Sequence, residues 1–277
     1  MKLIGVGDNV VDFYKDKGEI YPGGNAVNVA VLSKRYGAEK SSYLGILGND
    51  MAGDHLAASL EAENVDISRV RKGYGQNWES IISLNDEADR IFIGSNKDTC
   101  VQAVMKLKFN QEDLAYIQTH DLLHTSMYSS IEKDLPELAQ IIPISYDFSF
   151  QFEEEYIKQI CPHVHYAFFS GSELTKEQCI ELIEKASAYG AQVIGVTRGS
   201  KGALFYKEGT YYEQSVIETD VVDTLGAGDS FIAMFLTHYH RTNRMEEALS
   251  KAAKAAADTC KIYGAFGYGI SKELAIF

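Results

Sequence analysis

The stretch "DTLGAGDSF", Asp223 to Phe231, runs from a polar turn through two glycines to an aspartate, and the apolar segment "SFIAMFLTHYH" follows at once. That order predicts a flexible loop feeding the first turn of a helix. A helix N-terminus presents unpaired N–H groups and partial positive charge. Gly226 and Gly228 allow the backbone to curl until several amides converge on one anion, such as a phosphoryl group in flight. Asp229 then stands where it could take a proton from a hydroxyl. A plain structural reading, with Asp229 only complementing the helix dipole, fits the same residues.

Elsewhere in the chain, short β-type runs alternate with longer helical ones. "KLIGVG", "SSYLGIL", "HDLLHTS", "IIPISYDFS", "VHYAFFS" and "AQVIGVT" read as strands. "AVNVAVLSKRYGA", "MAGDHLAASLEAENV" and "LTKEQCIELIEKASAYG" read as helices, as do "DSFIAMFLTHYHRT" and "MEEALSKAAKAAADTCKIYG" nearer the end. Strands separated by helices imply an α/β fold with a mainly parallel sheet covered on both faces. Two stretches depart from this, "VVDFYKDKGEIYPGG" and "NWESIISLNDEADRIFIGS". Their polar alternate positions and turn residues suggest a small antiparallel sheet, at about residues 10–22 and 76–95, serving as a lid. We expect one domain over 1–277.

With 277 residues, 39 Asp+Glu against 26 Lys+Arg and a formal charge of −13, the chain is not expected to bind nucleic acid or an anionic membrane. A local pocket can still oppose the global sign for a small anion. Cys100, Cys161, Cys179 and Cys260 form no CxxC, which suits reduced thiols. No signal peptide and no run of roughly 20 apolar residues is visible, so a cytoplasmic location is expected.

Other motifs also bear on chemistry. "GVGDNV", Gly5 to Val10, fails as a dinucleotide fingerprint because Val10 takes the place of the third glycine. Asp8 nevertheless falls at the carboxyl end of the first strand, where open α/β sheets bind ligands. "GGNAVNVAV" opens a helix with Gly23 and Gly24 and carries Asn25 and Asn28. Amides of that kind can hold vicinal sugar hydroxyls, while Asn25 as a helix cap and Asn28 as a tolerated polar residue is the plainer account. In "GILGNDMAG" Asn49 or Asp50 suits a helix N-cap. Asp147 in "YDFS", Glu173 in "FFSGSE" and the strand–turn–strand "VTRGSKGAL" are further candidates. No GxxxxGK[ST] and no HExxH occurs, which argues against a P-loop nucleotidase and a transition-metal site.

Together, Gly7-Asp8, "GGNAVNVA", "GILGNDMAG", "VTRGSKGAL" and "DTLGAGDSF" resemble, in order and over nearly the whole chain, the PfkB or ribokinase-like family of carbohydrate kinases. The resemblance implies a three-layer α/β/α fold with a β-sheet lid, and phosphorylation of a hydroxymethyl group by ATP with Mg2+. A monovalent cation is a further candidate cofactor. By position, Asp229 matches the catalytic base, and Gly226, Ala227 and Gly228 the anion hole. Asp8, Gly24 and Asn28 match sugar contacts. Thr197, Gly199 and Gly202 fall in the nucleotide-binding segment. Glu173 matches the acid of the family's NxxE motif, which acts on magnesium through water, although Ser170 stands where the asparagine is usual. Within the family the chain is most similar to fructoselysine 6-kinases, which phosphorylate O6 of a fructose carrying an amino acid on C1. Arg90, in the lid-like strands with Trp78, could face a substrate carboxylate or be a solvated charge. The alternatives carried are another kinase of the family, acting on fructose, ribose or a nucleoside, and a non-catalytic sugar sensor. A homodimer through the lid is also expected.

Overall fold

A computed structural model describes residues 1–84 and 90–272. The chain begins with β1 (Lys2–Gly7), β2 (Val10–Tyr14), β3 (Glu19–Gly23), α1 (Asn25–Arg35), β4 (Lys40–Gly48), α2 (Met51–Ala62), β5 (Arg71–Gly73), β6 (Glu79–Leu84) and β7 (Arg90–Ser95). The middle contains α3 (Val101–Val104), α4 (Gln111–Ile117), β8 (Leu122–Ser126), α5 (Leu135–Leu138), β9 (Ile144–Asp147), α6 (Glu154–Ile160), β10 (Tyr166–Ser170) and α7 (Lys176–Ala188). The last part holds β11 (Val193–Thr197), β12 (Ala203–Lys207), β13 (Thr210–Gln214), α8 (Ala227–Thr242), α9 (Met245–Thr259) and β14 (Ile270–Ser271).

Nine strands form the main sheet in the order β13-β12-β11-β10-β9-β8-β1-β4-β5. Pairing is parallel from β11 to β5 and antiparallel at β11-β12-β13. One apolar core lies on the α1, α2, α8 and α9 face, and a second on the face carrying α4 to α7. Because both faces are covered, the central strands read as nearly continuous apolar runs. The fold is therefore the expected three-layer, ribokinase-like arrangement with a second, small sheet.

α8 shows how sequence sets packing. Phe231, Phe235 and Tyr239 recur every four residues and share one face. The Phe235 ring stacks on Tyr239 at 5.2 Å and lies 4.8 Å from Phe205 of β12. Fully burying a side chain like Phe235 contributes about 3 kcal/mol. Asn243, left-handed at φ 52°, ends the helix. α9 packs alongside through the small residues Ala248 and Ala252. Asp50 is the N-cap of α2, accepting from the Gly53 amide at 3.0 Å.

The small sheet has the order β14-β3-β2-β6-β7. It corrects the antiparallel expectation. Each hairpin is antiparallel, but β2 and β6 join them in parallel. The reason is topological: β1 and β5 run the same way in the main sheet, so β2 and β6, which follow them, leave in one direction. β14, from the far end of the chain, completes the other edge.

Several elements lie outside the sequence expectation. β5 has 3 residues, and α3 to α6 have 4 to 7, too few for a clear amphipathic period. Cys100, Cys161 and Cys179 are free thiols. Among the described residues, no helix is long and apolar enough to cross a membrane.

Candidate active site

A cleft of about 520 Å3 opens at the carboxyl ends of the central strands, between the main and small sheets. Asp8, Asp147, Ser170 and Thr197 reach it from strand ends. Gly24, Asn25 and Asn28 reach it from the start of α1, and Gly226, Gly228 and Asp229 from the start of α8. The small sheet contributes Asp12, Ser80, Ile82 and Phe92.

The loop before α8 is anchored by its first residue. The buried Asp223 carboxylate accepts from the amides of Leu225 (2.9 Å) and Gly264 (2.9 Å) and from the hydroxyl of Tyr14 on β2. Burial, reinforced by Asp223, pushes the Tyr14 pKa far up, so its proton stays in that bond. The two glycines then differ in purpose. Gly226 is left-handed at φ 76°, and a Cβ there would lie 2.3 Å from the Ala265 Cβ. A Cβ on Gly228 would meet nothing within 4 Å, so that position borders open space. The first helical bond of α8 runs from the Ser230 amide to the Gly226 carbonyl (2.8 Å); the amides of Ala227, Gly228 and Asp229 precede it, and that of Ala227 donates to the Thr224 carbonyl (3.3 Å). Such a turn favours an anion.

Asp229 stands in this turn, facing α1. Its Oδ1 accepts from the Asn25 amide (2.8 Å) and its Oδ2 from the Asn28 amide (2.6 Å). The Asn25 amide nitrogen also donates to Asp147 Oδ2 (2.8 Å). Its oxygen faces His124 Nε2 (2.8 Å), and His124 Nδ1 faces the Ser145 hydroxyl (2.9 Å). Burial pushes His124 down to about 3, leaving the imidazole neutral. Burial, and then the charge of Asp229, push the Asp147 carboxyl up to about 7. Asn28 Oδ1 is buried without a hydrogen-bond partner.

Asp8 lies at the end of β1. Its Oδ1 accepts from the hydroxyls of Ser126 (2.8 Å) and Ser129 (2.9 Å), while burial raises its pKa. Gly24, at φ 103°, lets the start of α1 press on this loop, since a Cβ would lie 2.6 Å from the Asn9 Cα. Asp12, only 3% exposed, also lines the cleft from β2. Sequence reasoning missed it. The available signal was an acid at an alternate position of a short strand, on the side shared with Val10 and Tyr14.

Toward the other end, Ser170 and Thr197 are register partners on β10 and β11. The Thr197 hydroxyl donates to the Phe169 carbonyl (3.3 Å). Gly199 and Gly202 occupy the turn from β11 to β12 and do not line the cleft, and neither does Ala227. Glu173 is exposed on the turn after β10, also outside the lining. Trp78 donates to the Ser95 hydroxyl (2.8 Å) and lies edge-on to Tyr128. Arg90 pairs with Leu84 in the backbone register, but its side chain lies outside the described residues.

Among the described residues, no group of three or more His, Cys, Asp or Glu side chains is arranged to hold a metal. Ser170 lines the cleft as the register partner of Thr197, and Glu173 lies exposed on the turn that follows. That set suits a magnesium ion carried mainly by phosphates and water, not a protein cage.

The family model described as "pfkB family carbohydrate kinase" matches residues 1–267. A fructosamine kinase of Bacillus subtilis is 51% identical over 274 residues, which are 99% of this chain and 96% of the relative. A fructoselysine 6-kinase of Escherichia coli is 31% identical over 266 residues, covering 95% of this chain and 99% of the relative. Among solved structures, a ribokinase of Arabidopsis thaliana complexed with ribose and ATP aligns with TM-score 0.81 at 18% identity, covering 99% of this chain and 97% of that one. The chain therefore belongs to the pfkB family of carbohydrate kinases and is a sugar kinase that transfers phosphate from ATP.

Proposed function

We propose that this kinase phosphorylates O6 of a fructosamine, a fructose bearing an amino acid on C1, with Asp229 as base. The observation that carries the mechanism is the meeting of Asp229 with a left-handed Gly226 and an open Gly228 at one helix N-terminus bordering the cleft. The substrate class is supported by the 51% identity to a fructosamine kinase over 99% of the chain.

Asp8, Asn28 and the turn at Gly24 orient the sugar, and the unpartnered Asn28 Oδ1 is an acceptor for a hydroxyl. The O6 hydroxyl gives its proton to Asp229 as the new O6–P bond forms and the γ-phosphorus parts from the bridging oxygen of ADP. In a loose transition state, placement of the acceptor matters more than base strength. The amides of Gly226, Ala227 and Gly228 offset charge on the moving group. Thr197, Gly199 and Gly202 serve the nucleotide. Glu173, through water, and Ser170 would hold magnesium, which supplies charge neutralisation on the phosphates.

The small sheet acts as a lid that limits water in the cleft. Its β7 edge exposes Ile91 (50%) and Ile93 (47%), which supports pairing with a second copy in a homodimer. A cytoplasmic setting accords with the free thiols.

The test is ADP release with Mg-ATP across fructoselysine, other fructosamines, fructose, ribose and adenosine. Selective turnover of fructosamines is expected. Preference for unsubstituted fructose, ribose or adenosine would discard the substrate reading while leaving the kinase.

A further inference from the structure

Asn25, read from the sequence as a helix cap, is instead the first helical residue of α1, one past the N-cap Gly24. All its polar capacity faces inward. The amide has one oxygen and two N–H groups. The two N–H groups match Asp147 and Asp229, each at 2.8 Å. The reverse orientation would set the amide oxygen against two carboxylate oxygens. The oxygen therefore faces His124, which must present its hydrogen on Nε2 and accept the Ser145 hydroxyl at Nδ1. His124 is wholly buried on β8 opposite Ser145 of β9, so two adjacent strands fix its ring.

We infer that His124 and Asn25 act in series as positioning residues for Asp229: the buried imidazole pins the amide, and the pinned amide holds Asp229 beside Asp147. The inference rests on Asp229 being the base. The titratable groups around the amide are Asp147 on β9, Asp229 on α8, Asp8 at the end of β1 and His124 on β8, while Asp12 and Lys97 line the same cleft. Three of these carboxyls crowd together, and only a correctly turned Asn25 sets a donor between Asp147 and Asp229. Burial keeps His124 neutral, so the pin persists across the working pH range. If the pin is lost, the amide turns freely and the two carboxyls meet without their shared donor. The Asp147–Asp229 pair then holds a proton more tightly, and the acid limb of the kcat profile moves to higher pH.

The test compares His124→Phe, His124→Gln, Asn25→Ala and the Asn25→Ala/His124→Phe double variant. His124→Phe and Asn25→Ala are expected to lower kcat about tenfold or more at neutral pH, with KM for sugar and ATP within about threefold. Both move the acid limb up by about half a pH unit or more. His124→Gln, which can present an N–H, recovers the limb and most of kcat. In the double variant, removing His124 adds little once Asn25 is gone. A wild-type limb and kcat in either single variant, with melting temperature near wild type, overturns the inference, as do multiplicative losses in the double variant. If His124→Phe does not fold, Asn25→Ala at the cleft wall decides alone. Asp229→Asn in parallel separates the two readings: an active Asp229→Asn removes the base itself, whereas an inactive one beside unaffected His124 and Asn25 variants removes only the pin.

Discussion

Replacing Asp147 by Asn should flatten the dependence of folding stability on pH. Asp147 is 8% exposed, and its neighbours Asp229 and Asp8 add negative charge to the penalty of burial. Folding therefore raises its pKa from 3.8 to about 7. Between those values the folded protein keeps a proton that the unfolded chain has released. The folded-state pKa is the raised one, so this contribution is fully present below about 4 and is lost as pH rises through about 7. The slope is at most about 1.4 kcal/mol per pH unit, and the whole loss at most about 4 kcal/mol. Asp8, also raised by burial, acts in the same direction and stays in the variant. The assay is urea unfolding from pH 4.5 to pH 8 for both proteins, read as the difference between their curves. Asp147→Asn is less stable at low pH, because one amide oxygen cannot serve both the Ser149 amide and the Asn25 donor. The gap should narrow by about 1 kcal/mol or more as pH rises. Parallel curves would refute the account of Asp147 as a crowded, proton-retaining carboxyl.

The glycines of the α8 turn make opposite predictions. Gly226→Ala should cost about 2 kcal/mol or more, from the left-handed backbone and the 2.3 Å approach to Ala265, and should lower the melting temperature. Gly228→Ala should keep stability within about 0.5 kcal/mol while reducing turnover, since its Cβ enters open space at the cleft. A Gly228→Ala protein less stable than Gly226→Ala would contradict this. Tyr14→Phe removes one of the three donors to buried Asp223 and should cost about 1–3 kcal/mol in chemical denaturation. A neutral Tyr14→Phe would show that β2 does not anchor the motif loop.

The main sheet was readable because its strands are apolar on both faces and its longer helices repeat with helical period. α8 and α9, with 16 and 15 residues, carry that period over several turns, whereas α3 and α5, with 4 each, cannot. The parallel β2–β6 pairing was not readable, since nothing local in either hairpin specifies which distant strand it will meet. The site divides in the same way. Gly226, Gly228 and Asp229 lie in one contiguous stretch, so their chemistry could be read together. Asn25 and Asp147 are 122 residues apart, and His124 lies in an apolar run where a histidine ordinarily reads as core. Only the fold shows that these three share hydrogen bonds. Glu173, singled out by motif position, sits exposed beside the cleft rather than in its wall, because the turn after β10 carries it outward.

The most direct test of the central claim is steady-state ADP release from Mg-ATP with a fructosamine substrate, comparing wild type with Asp229→Asn. An amide can keep the shape of the Asn25 and Asn28 contacts but cannot take the O6 proton. The account predicts a fall in kcat of about 100-fold or more, with ATP binding by calorimetry little changed. Turnover by Asp229→Asn equal to wild type would contradict the assignment of Asp229 as the base.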